Sequence, residues 1–149
     1  MELRFRCCVA VMLSLRALLS LTAVGQTPQA TRQLLLGDHL LSLQWVSWDR
    51  FGRATVSEES GKLKLKGEQR KDGDYVTVEG IVTDVLPNGF RLQGKVITRV
   101  SHINKGQPCV RDGKFTFRAS GARTFWRMQE MNDPCDDAAD YVDIYFKRP

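Results

Sequence analysis

Few side chains in this sequence have the types and spacing that nucleophilic catalysis requires. The 149 residues include two histidines, His39 and His102. A catalytic triad brings together a nucleophile, a base and an orienting acid, and no serine here lies in a Gly-x-Ser-x-Gly turn. His102 lies beside Asn104 at the end of a predicted strand, and we interpret it as a histidine on the rim of the fold. The sequence predicts no catalytic residue.

Metal and carboxylate chemistry also lack a distinctive pattern. Zinc sites use paired Cys or His ligands, which are missing. The aspartates near the C-terminus could supply oxygen ligands to calcium but lack the spacing of a calcium-binding loop; they are Asp133, Asp136, Asp137, Asp140 and Asp143. Paired acids can hydrolyse glycosidic bonds, and Glu79, Asp84 and Glu130 are further candidates. We predict no metal and no cofactor, and a carboxylate-dependent enzyme is the second alternative.

Basic residues lie on the outward side of several predicted strands. Successive residues of a strand face opposite sides, so these side chains would form a stripe on one wall. They are Lys62, Lys64, Lys66, Arg91, Lys95, Arg99, Lys114 and Arg118. Such a stripe can hold an anionic polymer. A solvated face whose lysines discourage edge pairing is the simpler interpretation.

Large aromatic rings are frequent for so short a chain. In a small barrel they either fill the core, which is the simpler interpretation, or line a cavity for one apolar ligand. The candidate ligand-binding residues are Trp45, Trp48, Phe90, Phe115, Phe117, Trp126, Tyr141 and Tyr145. Arg123 and Arg127 would join the two tyrosines at the rim of such a cavity.

Antiparallel strands would position all of these side chains. Phe115 and Phe117 alternate with polar neighbours, as do the apolar residues of several other runs, and this alternation is typical of sheets with one wet face. We predict about eight strands, near residues 40–48, 53–57, 62–69, 75–86, 90–101, 114–119, 123–131 and 140–147. No helix longer than one or two turns is expected, although residues 123–132 would suit a helix equally well.

Turn sequences separate the predicted strands. They include Ser60-Gly61, Asp72-Gly73, Asp112-Gly113 and Pro87-Asn88-Gly89, the last of which suits a type I turn closed by a left-handed glycine. Gly80 and Gly94 indicate a kink or bulge, and a change of phase between Trp45 and Val46 indicates another bulge. The fold class predicted is all-β, a small antiparallel meander barrel of about eight strands, with a two-sheet β-sandwich as the alternative.

The first residues are typical of a secretory signal peptide. Arg4 and Arg6 precede an apolar run that Arg16 interrupts, and Ala23-Val24-Gly25 offers a cleavage site before Gln26. A start at Met12 would leave the run uninterrupted. The run is shorter than the ~20 residues of a spanning helix, so we expect cleavage and no transmembrane span afterwards. We predict a signal peptide at 1–25, an N-terminal leader at 26–37 and a single barrel domain at 38–149.

Cys109 and Cys135 remain after cleavage. In an oxidising compartment they are expected to form one disulfide, closing a loop of about 26 residues and stabilising the fold by about 3 kcal/mol. Free buried thiols or a thiol nucleophile are the alternatives.

The functional prediction is a secreted or periplasmic, non-catalytic binding or interaction module. Its partner would be a small apolar ligand or a protein of the cell envelope. The first alternative is an envelope protein that binds an anionic polymer through the basic stripe. Export makes nucleic acid a less favoured partner.

Overall fold

The computed structural model describes residues 27–146, which form a closed antiparallel barrel of eight strands. In chain order the elements are α1 (Pro28–Leu35), β1 (Gly37–Leu43), β2 (Gly52–Glu59), β3 (Lys62–Lys71), β4 (Asp74–Leu86), β5 (Gly89–Arg99), a 3-10 turn (Asn104–Gly106), β6 (Cys109–Arg118), β7 (Phe125–Met128) and β8 (Val142–Tyr145). Each strand pairs with the next, and β1 pairs with β8. The predicted all-β barrel is confirmed, and the predicted signal peptide lies outside the described residues.

Tight turns connect the long strands as their sequences predict. Ser60-Gly61 joins β2 to β3, and Asp72-Gly73 joins β3 to β4. All four residues have positive φ angles, between 50° and 88°. Turns of this kind match the right-handed twist of the flanking strands, so they fix the register of β2, β3 and β4.

Three local predictions are wrong. The chain does not bulge at Trp45; β1 ends at Leu43, whose carbonyl accepts the N–H of Val46 at 3.0 Å. Asp112-Gly113 is not a turn, because Gly113 pairs with Gly94 inside the β5–β6 ladder. Gly89 is not left-handed. It lies in β5, where a Cβ atom would come within 2.0 Å of the Phe117 carbonyl.

Close approach of neighbouring strands explains the glycines of the β4–β5 hairpin. Gly80 lies opposite Gly94, and a Cβ atom on Gly94 would lie 2.1 Å from the carbonyl oxygen of Glu79. A bulge follows in β4 between Val82 and Asp84. Glycines and bulges of this kind let a sheet curve enough to close into a barrel.

The core is a cluster of rings surrounded by aliphatic side chains. Phe90 stacks on Phe117 with 4.9 Å between ring centroids, and Trp126 meets Phe90 edge-on at 5.7 Å. All three side chains are buried. Burial of one such side chain contributes about 1.5–3 kcal/mol, so this cluster is a main source of stability.

Helix α1 covers one end of the barrel and occupies most of the segment predicted as a leader. Thr27 caps the helix by accepting the N–H of Ala30 at 3.1 Å, a common way to begin a helix. Thr31 and Leu35, one turn apart, are buried against the barrel, and the Thr31 hydroxyl donates to the Pro87 carbonyl at 2.7 Å. The ring of His39 lies 2.8 Å from the Leu35 carbonyl oxygen. These contacts fasten the helix over the core.

Two loops cover the opposite end. Gln69 is an inward-facing polar residue of β3, and its side-chain oxygen accepts the N–H of Leu43 at 2.6 Å. Its amide nitrogen donates to the carbonyls of Ser47 and Arg50 at 3.2 and 2.8 Å. One buried amide thus organises the 44–51 loop. The second loop, residues 129–141, is called the closing loop below.

A disulfide anchors the closing loop, as predicted. Cys109 at the start of β6 is bonded to Cys135. The Asp133 carboxylate accepts the N–H of Cys135 at 2.7 Å and so caps the turn that carries this cysteine. The predicted pairing is confirmed.

The double variant C109S/C135S tests how much the disulfide stabilises the fold. We expect its free energy of unfolding to fall by about 3 kcal/mol, since the unfolded chain regains the freedom of the open loop. Urea denaturation with and without a reductant measures the effect. The reductant should lower the urea concentration at the unfolding midpoint of the wild type and leave that of the variant unchanged. An equal wild-type midpoint with and without the reductant would contradict the expectation.

Candidate functional site

A groove with a volume of 550 Å³ runs across the outside of the barrel over strands β2 to β6. We call it the outer groove. Its walls carry charges of both signs and one exposed apolar side chain, contributed mainly by Lys64, Lys66, Glu79, Ile81, Lys95 and Asp112. Gly80 and Gly94 also line it. The groove therefore crosses the sheet at the glycine pair, where β4 and β5 approach each other closely.

Strand register brings the charged residues of the groove into one row. Lys66 of β3 lies opposite Glu79 of β4, and Glu79 lies opposite Lys95 of β5. Lys95 in turn lies opposite Asp112 of β6. The row therefore alternates in sign across four strands, an arrangement that favours cross-strand attraction.

Some of these charges are paired and others are free. Lys64 forms an ion pair with Glu59, and the Lys95 ammonium lies 3.9 Å from the Asp112 carboxylate. Lys66 and Glu79 have no ion-pair partner within 4.0 Å among residues 27–146. Ile81 is 37% exposed beside them. The groove thus offers a free cation, a free anion and an apolar contact, a combination that suits the recognition of a binding partner.

The predicted basic stripe is interleaved with acids. Four of its eight residues have carboxylate partners, in the pairs Lys64–Glu59, Arg91–Asp84, Lys95–Asp112 and Arg99–Asp74. The other four have none within the described part of the chain, and they are Lys62, Lys66, Lys114 and Arg118. This wall therefore carries acidic and basic side chains next to one another and is not uniformly basic.

The aromatic candidates are divided between the core and the surface. Phe90, Phe115, Phe117 and Trp126 are buried inside the barrel. Trp48 is 75% exposed, while the ring of Trp45 lies edge-on to His102 at 6.1 Å. Tyr141 precedes β8 and Tyr145 is its last residue, and both rings are partly exposed. The structure does not bring these eight residues to one site.

Arg127 links the surface aromatic residues of β7 and β8. Its guanidinium donates two hydrogen bonds of 2.7 Å to the buried Asp143 carboxylate and lies 4.3 Å from the ring centre of Tyr141. Hydrogen bonding to Asp143 raises the pKa of Arg127, and burial raises the pKa of Asp143. Arg123 lies over the ring of Phe125, with 5.5 Å between guanidinium carbon and ring centre. This cluster joins the last two strands.

A buried ion pair that the sequence analysis missed closes the barrel beside the disulfide. Arg111 donates to the Asp140 carboxylate at 2.9 Å and to the carbonyl oxygen of Glu130 at 3.0 Å. Burial and, to a smaller extent, the neighbouring Asp133 raise the pKa of Asp140 to about 6 against the attraction of Arg111. Arg111 shares its strand face with Phe115 and Phe117, so alternation alone could have placed it inside.

Most of the acidic candidates near the C-terminus make contacts within the protein. Asp136 accepts the N–H of Asn104 at 2.6 Å, and Glu130 accepts the N–H of Thr116. Cys109, Asp133 and Cys135 approach one another closely enough to hold a metal, but both sulfurs belong to the disulfide and offer no thiolate. The terminal aspartates therefore stabilise the closing loop and β8.

Sequence comparison places this fold in a family. A family model described as the PM1083 family matches residues 22–146. The chain belongs to the PM1083 family. It is similar to PM1083 of Pasteurella multocida (strain Pm70), an uncharacterized protein, with 41% identity over 133 residues that cover 86% of this chain and 87% of the relative. No solved structure matches this PM1083-family chain. Within residues 27–146, no helix is long and apolar enough to cross a membrane.

The variant D140N tests the electrostatics of the closing loop. The folded protein binds the Asp140 proton more tightly than the unfolded chain, so this carboxyl adds stability below its ordinary pKa of 3.8, and the contribution is lost as pH rises through about 6. Asparagine stays neutral. We expect the free energy of unfolding of D140N, relative to wild type, to rise between pH 4 and pH 7 by up to about 3 kcal/mol.

Urea denaturation of both proteins across this pH range gives the measurement. The other titrating groups are common to both proteins and cancel in the difference. A difference that stays constant with pH would contradict the raised pKa.

Proposed function

We propose that this PM1083-family protein is an extracytoplasmic, non-catalytic binding module that holds a polypeptide partner against the outer wall of its barrel. The outer groove carries the proposal, because it combines the unpaired charges of Lys66 and Glu79 with the exposed Ile81. Proteins recognise one another through such combinations of an apolar contact and complementary charges.

Two features support a location outside the cytoplasm. The Cys109–Cys135 disulfide is of a kind that persists in oxidising compartments. The basic residues, apolar run and small-residue exit of residues 1–25 are typical of a cleaved signal peptide. Together the two features support secretion or delivery to a periplasm.

Packing inside the barrel favours recognition on the outside. The rings of Phe90, Phe117 and Trp126 contact one another where a ligand would lie in a hollow barrel. Helix α1 covers one end, and the 44–51 loop and the closing loop cover the other. A small apolar ligand would have to displace these contacts, whereas a partner on the outer wall displaces none.

Mixed charge favours a polypeptide over a uniform polymer. A peptide can present a base, an acid and an apolar group together, so it can match Glu79, Lys66 and the exposed Ile81 at the same time. A polyanion would meet repulsion from Glu79 in the middle of the row formed by Lys66, Glu79 and Lys95.

Site-specific photo-crosslinking in the protein's own host tests the proposal. A benzoylphenylalanine at position 81 should give a discrete crosslinked protein product, since Ile81 is part of the groove, whereas the same group at the exposed Ser120 should not. The charge reversal K66E/E79K should reduce the product at position 81 at least about tenfold, because each exchanged side chain then faces a partner group of the same charge. Neither residue is in an ion pair, so the barrel should stay folded.

Equal crosslinking from positions 81 and 120, or a product at position 81 that the charge reversal leaves unchanged, would argue against the groove. Intact-mass analysis of the same samples reports cleavage before Gln26 and the two hydrogens lost on disulfide formation.

A basic surface that holds an anionic polymer is the second candidate. Lys62, Lys66, Lys114 and Arg118 lack carboxylate partners among the described residues, and this observation favours it. Binding through such contacts falls steeply as salt rises.

Retention on dextran sulfate compares two matched variants. If the polymer binds this wall, K62S/K114S should elute at lower salt than wild type, and K105S/R123S, which removes two exposed basic residues elsewhere, should elute nearer to wild type. Equal shifts for the two variants would show attraction by net charge alone.

A further inference from the structure

Strand β6 has an edge that the barrel leaves largely unpaired. On one side β6 pairs with β5 from Cys109 to Arg118. On the other side its ladder with β7 contains only Phe117–Met128 and Arg118–Arg127. The first part of β6 therefore has a strand neighbour on one side alone.

The backbone groups at this free edge can be assigned by alternation along the strand. Thr116 directs its N–H to the Glu130 carboxylate at 2.9 Å, and its carbonyl accepts the N–H of Gln129 at 2.8 Å. In an antiparallel ladder alternate residues direct both backbone groups to the same side. Lys114, Asp112 and Val110 therefore direct theirs away from β5. No partner for these groups is found among residues 27–146.

Side chains bridge the space beside this edge. Beyond Gln129 the chain leaves β6, and the Arg111 guanidinium spans the opening to the Glu130 carbonyl and the Asp140 carboxylate. Val110 is 56% exposed, and the Asp112 carboxylate is also exposed. The residues that carry the unpaired donors and acceptors thus present solvent-exposed side chains on the outward face.

We propose that the free edge of β6 accepts an extended segment of the partner polypeptide as an added antiparallel strand. Strand addition to an exposed edge gains affinity from main-chain hydrogen bonds and specificity from alternate side chains. This inference rests on the proposed function, because it specifies how a polypeptide partner is held. It also extends the outer wall that carries the groove by one strand.

Charge complementarity defines the segment that fits. On the outward face the new strand would meet Val110, Asp112 and Lys114 in turn. Directly opposite pairs of unlike charge stabilise a sheet, and like charges destabilise it. Because the added strand runs antiparallel to β6, the matching sequence is Glu-x-Lys-x-Val, with the acid opposite Lys114 and the base opposite Asp112.

A second copy of this chain is a poorer occupant of the same edge. Its own β5 would follow its β6 into the space beside the edge, about two strand spacings or 10 Å away. The closing loop is tied to β6 by Arg111 and by the disulfide, which sets the Cα atoms of Cys109 and Cys135 5.9 Å apart, so the second sheet would meet this loop. A single strand along residues 110–114 needs only the first of these two strand spacings.

A synthetic peptide tests the proposal. The probe is acetyl-Thr-Glu-Thr-Lys-Thr-Val-Thr-amide, and the control peptide exchanges its Glu and Lys. Titration of the full folded protein followed by amide NMR should show slower hydrogen exchange at Val110, Asp112 and Lys114. Arg111 and Gly113 should change less, because their N–H groups already face β5. We expect the probe to bind about tenfold more tightly than the control, given two reversed charge pairs.

The variant D112K/K114D supplies the decisive comparison. It keeps the composition of the edge and should reverse the preference between the two peptides, while its NMR spectrum reports that the barrel is intact. An unchanged preference in this variant, or no binding of either peptide at millimolar concentration, would overturn the added strand.

The outcome also separates this inference from the proposed function. Peptide-induced changes at Lys66, Glu79 and Ile81 without protection at the three edge amides would overturn strand addition and leave the groove as the binding site. Protection at the edge that appears on concentrating the protein alone would identify a second copy as the occupant and overturn the proposal.

Discussion

The buried ion pair between Arg111 and Asp140 closes the barrel where the backbone ladder stops. Strands β7 and β8 have four residues each and cannot cover the full length of β6. Arg111 spans the remaining opening to the closing loop, and the nearby disulfide holds that loop in reach. Removing one partner of such a pair leaves an uncompensated buried charge and costs about 3–5 kcal/mol. The regular wall formed by β2 to β6 depends on this irregular closure.

The two faces of the closed sheet have different roles. The inward face is filled by aromatic and aliphatic side chains, and both ends are covered, so chemistry concentrates on the outward face. There the strand register sets lysines and acids in rows along the outer groove, which the glycine pair at 80 and 94 also lines. A rigid wall of this kind presents groups at fixed spacing, which is the main requirement for selective recognition.

Local patterns predicted the strands well because each depends on neighbouring residues. Alternation in β3 and β5 and the Ser-Gly and Asp-Gly turns are such patterns. Elements set by distant contacts were missed: α1 is held by Pro87 and His39, and β1 ends where Gln69 draws in the next loop. Arg111 and Gln69 could have been identified as inward-facing polar residues, but their partners lie far away in sequence. The outer groove depends on how five strands pair, which alternation within one strand does not specify.

Pairing of the first strand with the last gives the chain a fixed order of assembly. Leu41 of β1 lies opposite Ile144 of β8, so the sheet stays open until nearly the whole chain is present. Contacts this distant in sequence form slowly and late. A chain synthesised from its N-terminus therefore cannot close the barrel before β8 has been made. If the protein is exported as an unfolded chain, as proposed above, this late closure keeps it transportable until β8 has been made.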